Sequence, residues 1–79
     1  MAKLDRITYD RLIMGGQACV RGMRIPVSLV INLVAHGKTF IEIMKEYPDL
    51  EILDIQQSLE YAARLARDQV FTANLEMAA

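Results

Sequence analysis

Enzymatic chemistry needs acids, bases or nucleophiles that converge on one point, and this chain of 79 residues offers few of them. Its one histidine, His36, stands directly before Gly37 at the end of an apolar stretch. A cation there complements the helix dipole, so His36 reads first as a helix-end residue. Cys19 lies in the apolar run Ala18-Cys19-Val20. No second Cys or His stands at ligand spacing from it, which supports neither a zinc site nor thiol catalysis. Gly15-Gly16 lacks the Lys-Ser/Thr that follows the glycines of a phosphate loop and reads as a turn. The expectation is a non-enzyme, with no catalytic residue and no metal. Haem is the one cofactor left as an alternative: in a symmetric dimer, His36 of each subunit could supply an axial ligand.

Nucleic-acid chemistry has better candidates. Met1 to Pro26 carry Lys3, Arg6, Arg11, Arg21 and Arg24 against Asp5 and Asp10, a net of +3. Thr39 to Glu60 carry Glu42, Glu46, Asp49, Glu51, Asp54 and Glu60 against Lys45, a net of −5. Phosphate contacts must fall where cations are, so Arg6, Arg11, Arg21 and Arg24 are the candidate backbone contacts. Gln56 and Gln57 are the candidate base readers, since a glutamine pairs with adenine. The same arginines could instead pair with Asp49 or Asp54 and hold the arm to the helices. The acidic stretch reads equally as a solvated face or as a surface for a basic cleft in a partner protein. Leu53, Glu60, Phe71 and Leu75 are the candidate partner-binding residues.

The elements that position these residues follow from the apolar spacing. Arg6-Ile7-Thr8-Tyr9 alternates and is rich in β-formers. With Ala18-Cys19-Val20 and Arg24-Ile25 it predicts paired short strands, the alternative being an irregular arm. Pro26 opens a helix at its first position, and Gly37 ends it. Val27, Leu29, Val30, Ile31, Leu33 and Val34 make that helix apolar on nearly every side, so it is expected to be buried on nearly every side. Thr39-Phe40-Ile41-Glu42 is a capping box that opens a short second helix, closed by Tyr47 before Pro48. Ile52, Ile55, Leu59, Ala62 and Ala66 predict a longer third helix to about Arg67. The fold class is therefore mainly α: a strand-rich basic arm (1–26), a three-helix bundle with a helix-turn-helix (27–67) and a C-terminal tail (68–79), forming a single domain.

A chain this short hides only about 60–65% of its unfolded surface on folding, yet 53% of its residues are hydrophobic and its mean hydropathy is +0.19. Apolar surface is left for a partner, and a homodimer is expected. No apolar run approaches the roughly 18 residues of a membrane span, and the N-terminus does not resemble a signal peptide. With five Met and one unpaired Cys, a cytoplasmic location is expected.

Specific strings carry a resemblance. They are Ile7-Thr8-Tyr9-Asp10, Met14-Gly15-Gly16, Val20-Arg21-Gly22-Met23-Arg24-Ile25-Pro26-Val27, Gly37, Ile43, Tyr47-Pro48-Asp49-Leu50, Asp54-Ile55 and Tyr61-Ala62. From about Arg6 to Leu65 the chain resembles the bacterial family 433 of domains of unknown function. The chain departs from the family pattern at Arg11, Gln17-Ala18, Met23 and Leu53. The resemblance implies a homeodomain-like three-helix fold behind a strand-rich arm. It also implies a VapB-like antitoxin role, in which the chain binds a PIN-like ribonuclease toxin and, as a further partner, operator DNA. The alternative is a stand-alone dimeric regulator that binds another protein or a ligand such as haem.

Overall fold

The computed structural model describes the backbone of residues 3–78 and the side chains of residues 3–67. Two strands, β1 (Ile7–Tyr9) and β2 (Ala18–Val20), precede three helices, α1 (Val27–Ala35), α2 (Phe40–Glu46) and α3 (Ile52–Ala78). The strands pair antiparallel with Thr8 opposite Cys19. The Thr8 hydroxyl donates to the Cys19 carbonyl at 3.3 Å and accepts from the Gly22 amide at 2.8 Å. After β2 the chain reverses through Arg21-Gly22, closed by the Met23 amide donating to the Val20 carbonyl at 2.8 Å. Both central residues have positive φ, +46° at Arg21 and +71° at Gly22. Glycine adopts that region freely, whereas arginine rarely does.

Pro26 sits just before α1, with φ −66° and ψ 143°, not within it as its type suggested. Its ring fixes φ and its missing N–H leaves nothing unsatisfied at the helix start. The other end closes as a Schellman motif: Lys38 N–H donates to Leu33 C=O at 3.1 Å, and Gly37 N–H donates to Val34 C=O at 3.0 Å. Gly37 has φ +89° there. The capping box of α2 forms in full, with Glu42 N–H donating to Thr39 Oγ1 at 3.1 Å and Thr39 N–H donating to Glu42 Oε1 at 2.8 Å.

The core is Val20 from the arm, Val27 and Val30 from α1, Ile43 from α2, Leu50 from the turn and Ile55 from α3. Tyr47 packs half-buried against it. The expectation that α1 is buried on nearly every side does not hold, since its buried residues are Val27 and Val30. Ser28, Asn32 and Ala35 are exposed, and Leu29, Ile31, Leu33 and Val34 are only half-buried, because α2, the start of α3 and the hairpin do not enclose the helix. Among the described side chains of α3 the buried ones are Asp54, Ile55 and Ser58, while Ile52 and Ala66 lie exposed. The helix also continues past Arg67 to Ala78, so residues 68–78 extend α3 where a tail was expected. No helix among the described residues is long and apolar enough to cross a membrane.

Candidate functional site: the junction of the arm and the third helix

Asp54 occupies the first turn of α3 with no exposed surface. Its two oxygens accept four hydrogen bonds. Oδ1 receives Arg6 Nη1 and Arg21 Nε, each at 2.9 Å. Oδ2 receives Arg21 Nη2 at 2.8 Å and the Glu51 backbone N–H at 2.7 Å. The Glu51 contact ties the carboxylate to the amide of the residue preceding the helix, as an acidic residue three positions in can do. The Arg21 contact is the two-pronged guanidinium–carboxylate pairing. Arg6 reaches on to Glu51 Oε1 at 2.6 Å, and Arg21 Nη2 also donates to the Asp49 carbonyl at 2.6 Å.

A buried carboxylate is costly unless every lone pair is satisfied, and here all are. Burial pushes the Asp54 carboxyl upward, but Arg21, the Glu51 amide and Arg6 outweigh it and hold it below the ordinary aspartate value. The reciprocal effect raises Arg6 through Glu51 and Asp54, and raises Arg21 through Asp54.

A second link lies one turn along α3. Gln57 Oε1 accepts the Arg6 backbone N–H at 2.9 Å, and Gln57 Nε2 donates to Asp5 Oδ1 at 2.8 Å. That bond lowers the Asp5 carboxyl from its ordinary value. The first two turns of α3 are thus stitched to the arm through both its side chains and its backbone.

The nominated nucleic-acid residues divide accordingly. Arg6, Arg21 and Gln57 are brought together, each bonded within the chain, whereas Arg11, Arg24 and Gln56 are exposed and spread over the surface. Of the nominated partner-binding residues, Leu53 is 52% exposed and lines a groove with Leu4, Gln56, Gln57 and Glu60. The side chains of Phe71 and Leu75 lie outside the described residues. His36 caps α1, with Nδ1 2.7 Å from the Asn32 carbonyl. A carbonyl only accepts, so Nδ1 is the donor in this contact. Leu29, Ile31, Asn32 and Ala35 line a shallow hollow on the same helix.

Sequence reasoning did not single out Leu4 or Asp5, which complete the groove and its rim. Neither belongs to a periodic element, and only the docking of the arm gives them neighbours. Nor did it anticipate Leu12, 86% exposed at the tip of the loop between the strands. Among the described residues, no group of three His, Cys, Asp or Glu side chains is placed to hold a metal ion.

A strand hairpin packed on three helices, with α2 and α3 joined by a tight turn, defines a small, mainly helical domain of helix–turn–helix order. Residues 7–62 match the model of the family described as "Protein of unknown function (DUF433)", and the chain belongs to that family. The chain is similar to the crystal structure of a DUF433 member protein from Anabaena variabilis ATCC 29413. The identity is 25% and the TM-score 0.69, over 95% of this chain and 70% of that one. No curated protein matches the chain significantly.

Proposed function

We propose that this domain is a non-enzymatic interaction module, an antitoxin-like regulator whose cognate partner is a small PIN-like ribonuclease. The supporting observation is the fate of the arm's charge. Two of its five cations, Arg6 and Arg21, are spent on Asp54 and Glu51, and Gln57 is held by Asp5 and the Arg6 amide. A DNA reader needs such groups facing phosphates and base edges. What faces outward on α2 and at the start of α3 is mainly acidic and apolar: Ile41, Ile52, Glu42, Glu46 and Asp49 are exposed, against Lys45 and the Lys38 that pairs with Glu46 at 3.6 Å. That composition suits the basic, RNA-binding cleft of a ribonuclease.

The test is co-expression with a ribonuclease of this class encoded beside the gene. The reading expects a complex that survives size exclusion and suppresses RNA cleavage, with Ile41→Asp and Ile52→Asp together releasing the activity. Unchanged cleavage at excess domain would sink it.

Operator DNA keeps a narrower place in the proposal, through the exposed Arg11, Arg24 and Gln56. A second reading, a stand-alone dimeric regulator that binds haem, rests on the His36 Nε2 left unbonded by the Nδ1 contact to Asn32. A haem titration with no Soret shift, or one unchanged by His36→Ala, would rule it out.

A further inference from the structure

Residues 3–6 lie ahead of β1 and run against the outward face of α3. Leu4 sits half-buried in a groove that it shares with Leu53, Gln56, Gln57 and Glu60. Asp5 Oδ1 accepts from Gln57 Nε2 at 2.8 Å, and the Arg6 backbone N–H donates to Gln57 Oε1 at 2.9 Å. The Arg6 guanidinium donates to Glu51 Oε1 at 2.6 Å and to Asp54 Oδ1 at 2.9 Å. A weak turn, with Ile7 N–H donating to Leu4 C=O at 3.3 Å, shapes the segment.

Two features set this segment apart from the rest of the arm. The arm gives Val20 to the hydrophobic core and rests Ile7 on it, whereas none of residues 3–6 belongs to that cluster or packs against it. The divide falls at Arg6, whose N–H goes to α3 and whose C=O accepts the Arg21 N–H at 2.8 Å within the hairpin. The two arginines on Asp54 also differ. Without Arg6 the carboxylate keeps Arg21 Nε, Arg21 Nη2 and the Glu51 amide, three of its four hydrogen bonds. The outer bond of Arg6 ends on a Glu51 side chain that is 61% exposed, where salt and water weaken an ion pair. We infer that residues 3–6 are a strap that opens by itself, hinged at Arg6, while the hairpin and the three helices stay folded. Arg6 is its latch. Segments with few buried apolar contacts and water-exposed hydrogen bonds open at a lower free energy than a core does. Opening frees the Gln57 amide, the Arg6 guanidinium and the Asp5 carboxylate together, and it clears Leu4 from the groove beside Leu53. The strap is thus an intramolecular cover that a partner of this face of α3 has to displace.

The strap stands apart from the ribonuclease surface proposed above, which uses Ile41 and Ile52, so either can fail alone. Its test is amide hydrogen exchange of the full chain, resolved by residue with NMR. The Arg6 amide reports the strap. The Val20 amide reports the hairpin, where it donates to Ile25 C=O at 3.0 Å, and the Leu59 amide reports the interior of α3. The Arg6 amide should be protected, yet at least about tenfold less than Val20 and Leu59. Its protection should stay level in up to about 1 M urea while theirs falls, because a local opening exposes little surface. Arg6→Ala should cut protection at position 6 at least about threefold, and Lys3→Ala, which removes an exposed side chain, should not. Arg21→Ala should lower protection at Val20 and Leu59 but leave the Arg6 amide, since the Arg21 bonds persist when the strap is open. An unprotected Arg6 amide would mean that the strap does not close. Protection and urea dependence equal to those of Leu59 would mean that it opens only with the whole fold. Either result, or an Arg6→Ala protein unchanged at position 6, overturns the inference.

Discussion

At Asp54 the charges of the arm meet those of the helices, and the pairing has consequences for acid stability. In the unfolded chain this carboxyl titrates near the ordinary aspartate value of about 3.9, and in the fold it titrates lower. Between the two values the unfolded state binds the extra proton, so the stability Asp54 confers is full well above the unfolded value. It declines as the pH drops through that value and is gone below the folded one. Asp5 and Glu42 shift in the same direction and add to the same acid limb. The urea midpoint should therefore be level from about pH 7 to pH 5 and fall below about pH 4.5. Asp54→Asn sets an amide N–H₂ against a guanidinium, donor against donor. It should cost about 2–3 kcal/mol at neutral pH, less than for a wholly buried pair because both arginines reach water. It should also leave a shallower acid limb. An unchanged midpoint at pH 7 would mean that the network adds nothing. At this scale the sequence was partly legible: the pairing of arm arginines with Asp54 was one of two open readings. Charge alone could not choose between them, because the choice depends on the positive-φ turn at Arg21, which aims that side chain at α3.

The elements were more legible than the contacts. The capping box, the Gly37 stop, the Tyr47-Pro48 break and the paired strands all appear where local chemistry predicts them. The cap, the stop and the break each depend on residues within a few positions of one another, and the strands on partners no more than 13 positions apart. Two misjudgements share a cause, which is that periodicity reports amphipathicity and not the size of what lies opposite. It placed α1 inside on nearly every side, and it ended α3 where the apolar stripe thins near Arg67. Gly37→Ala tests the local logic. A Cβ there would meet nothing within 4 Å, so the penalty is conformational, about 1–2 kcal/mol for a left-handed residue. A melting temperature equal to that of the parent would show the Schellman closure to be dispensable. Tyr47→Ala tests packing at the next turn. The ring sits against the core, and its removal should cost about 2–4 kcal/mol by analogy with large-to-small core changes. A change below 0.5 kcal/mol, the usual size for surface positions, would place the ring in solvent.

At the scale of the whole molecule, the net charge of −1 conceals a basic arm folded back on acidic helices. Their mutual neutralisation decides what surface remains. Composition foretold a chain with apolar surface to spare, and the exposed Leu12, Ile41, Ile52, Leu53 and Leu65 supply it. The groove was not legible, because Leu4 and Leu53 stand 49 positions apart in the sequence and meet only once Asp54 and Gln57 have docked the arm. The account turns on whether Arg21 serves the fold or a phosphate. The direct measurement is Arg21→Ala beside Arg24→Ala, with thermal stability and binding to the upstream operator duplex at about 150 mM salt followed together. Arg21→Ala should lower the melting temperature by several degrees, Arg24→Ala should leave it unchanged, and Arg21→Ala should not alter whatever affinity the parent has for DNA. An Arg21→Ala protein as stable as its parent, with tight operator binding lost and a shallower salt dependence, would contradict the account and return the arm to the nucleic acid.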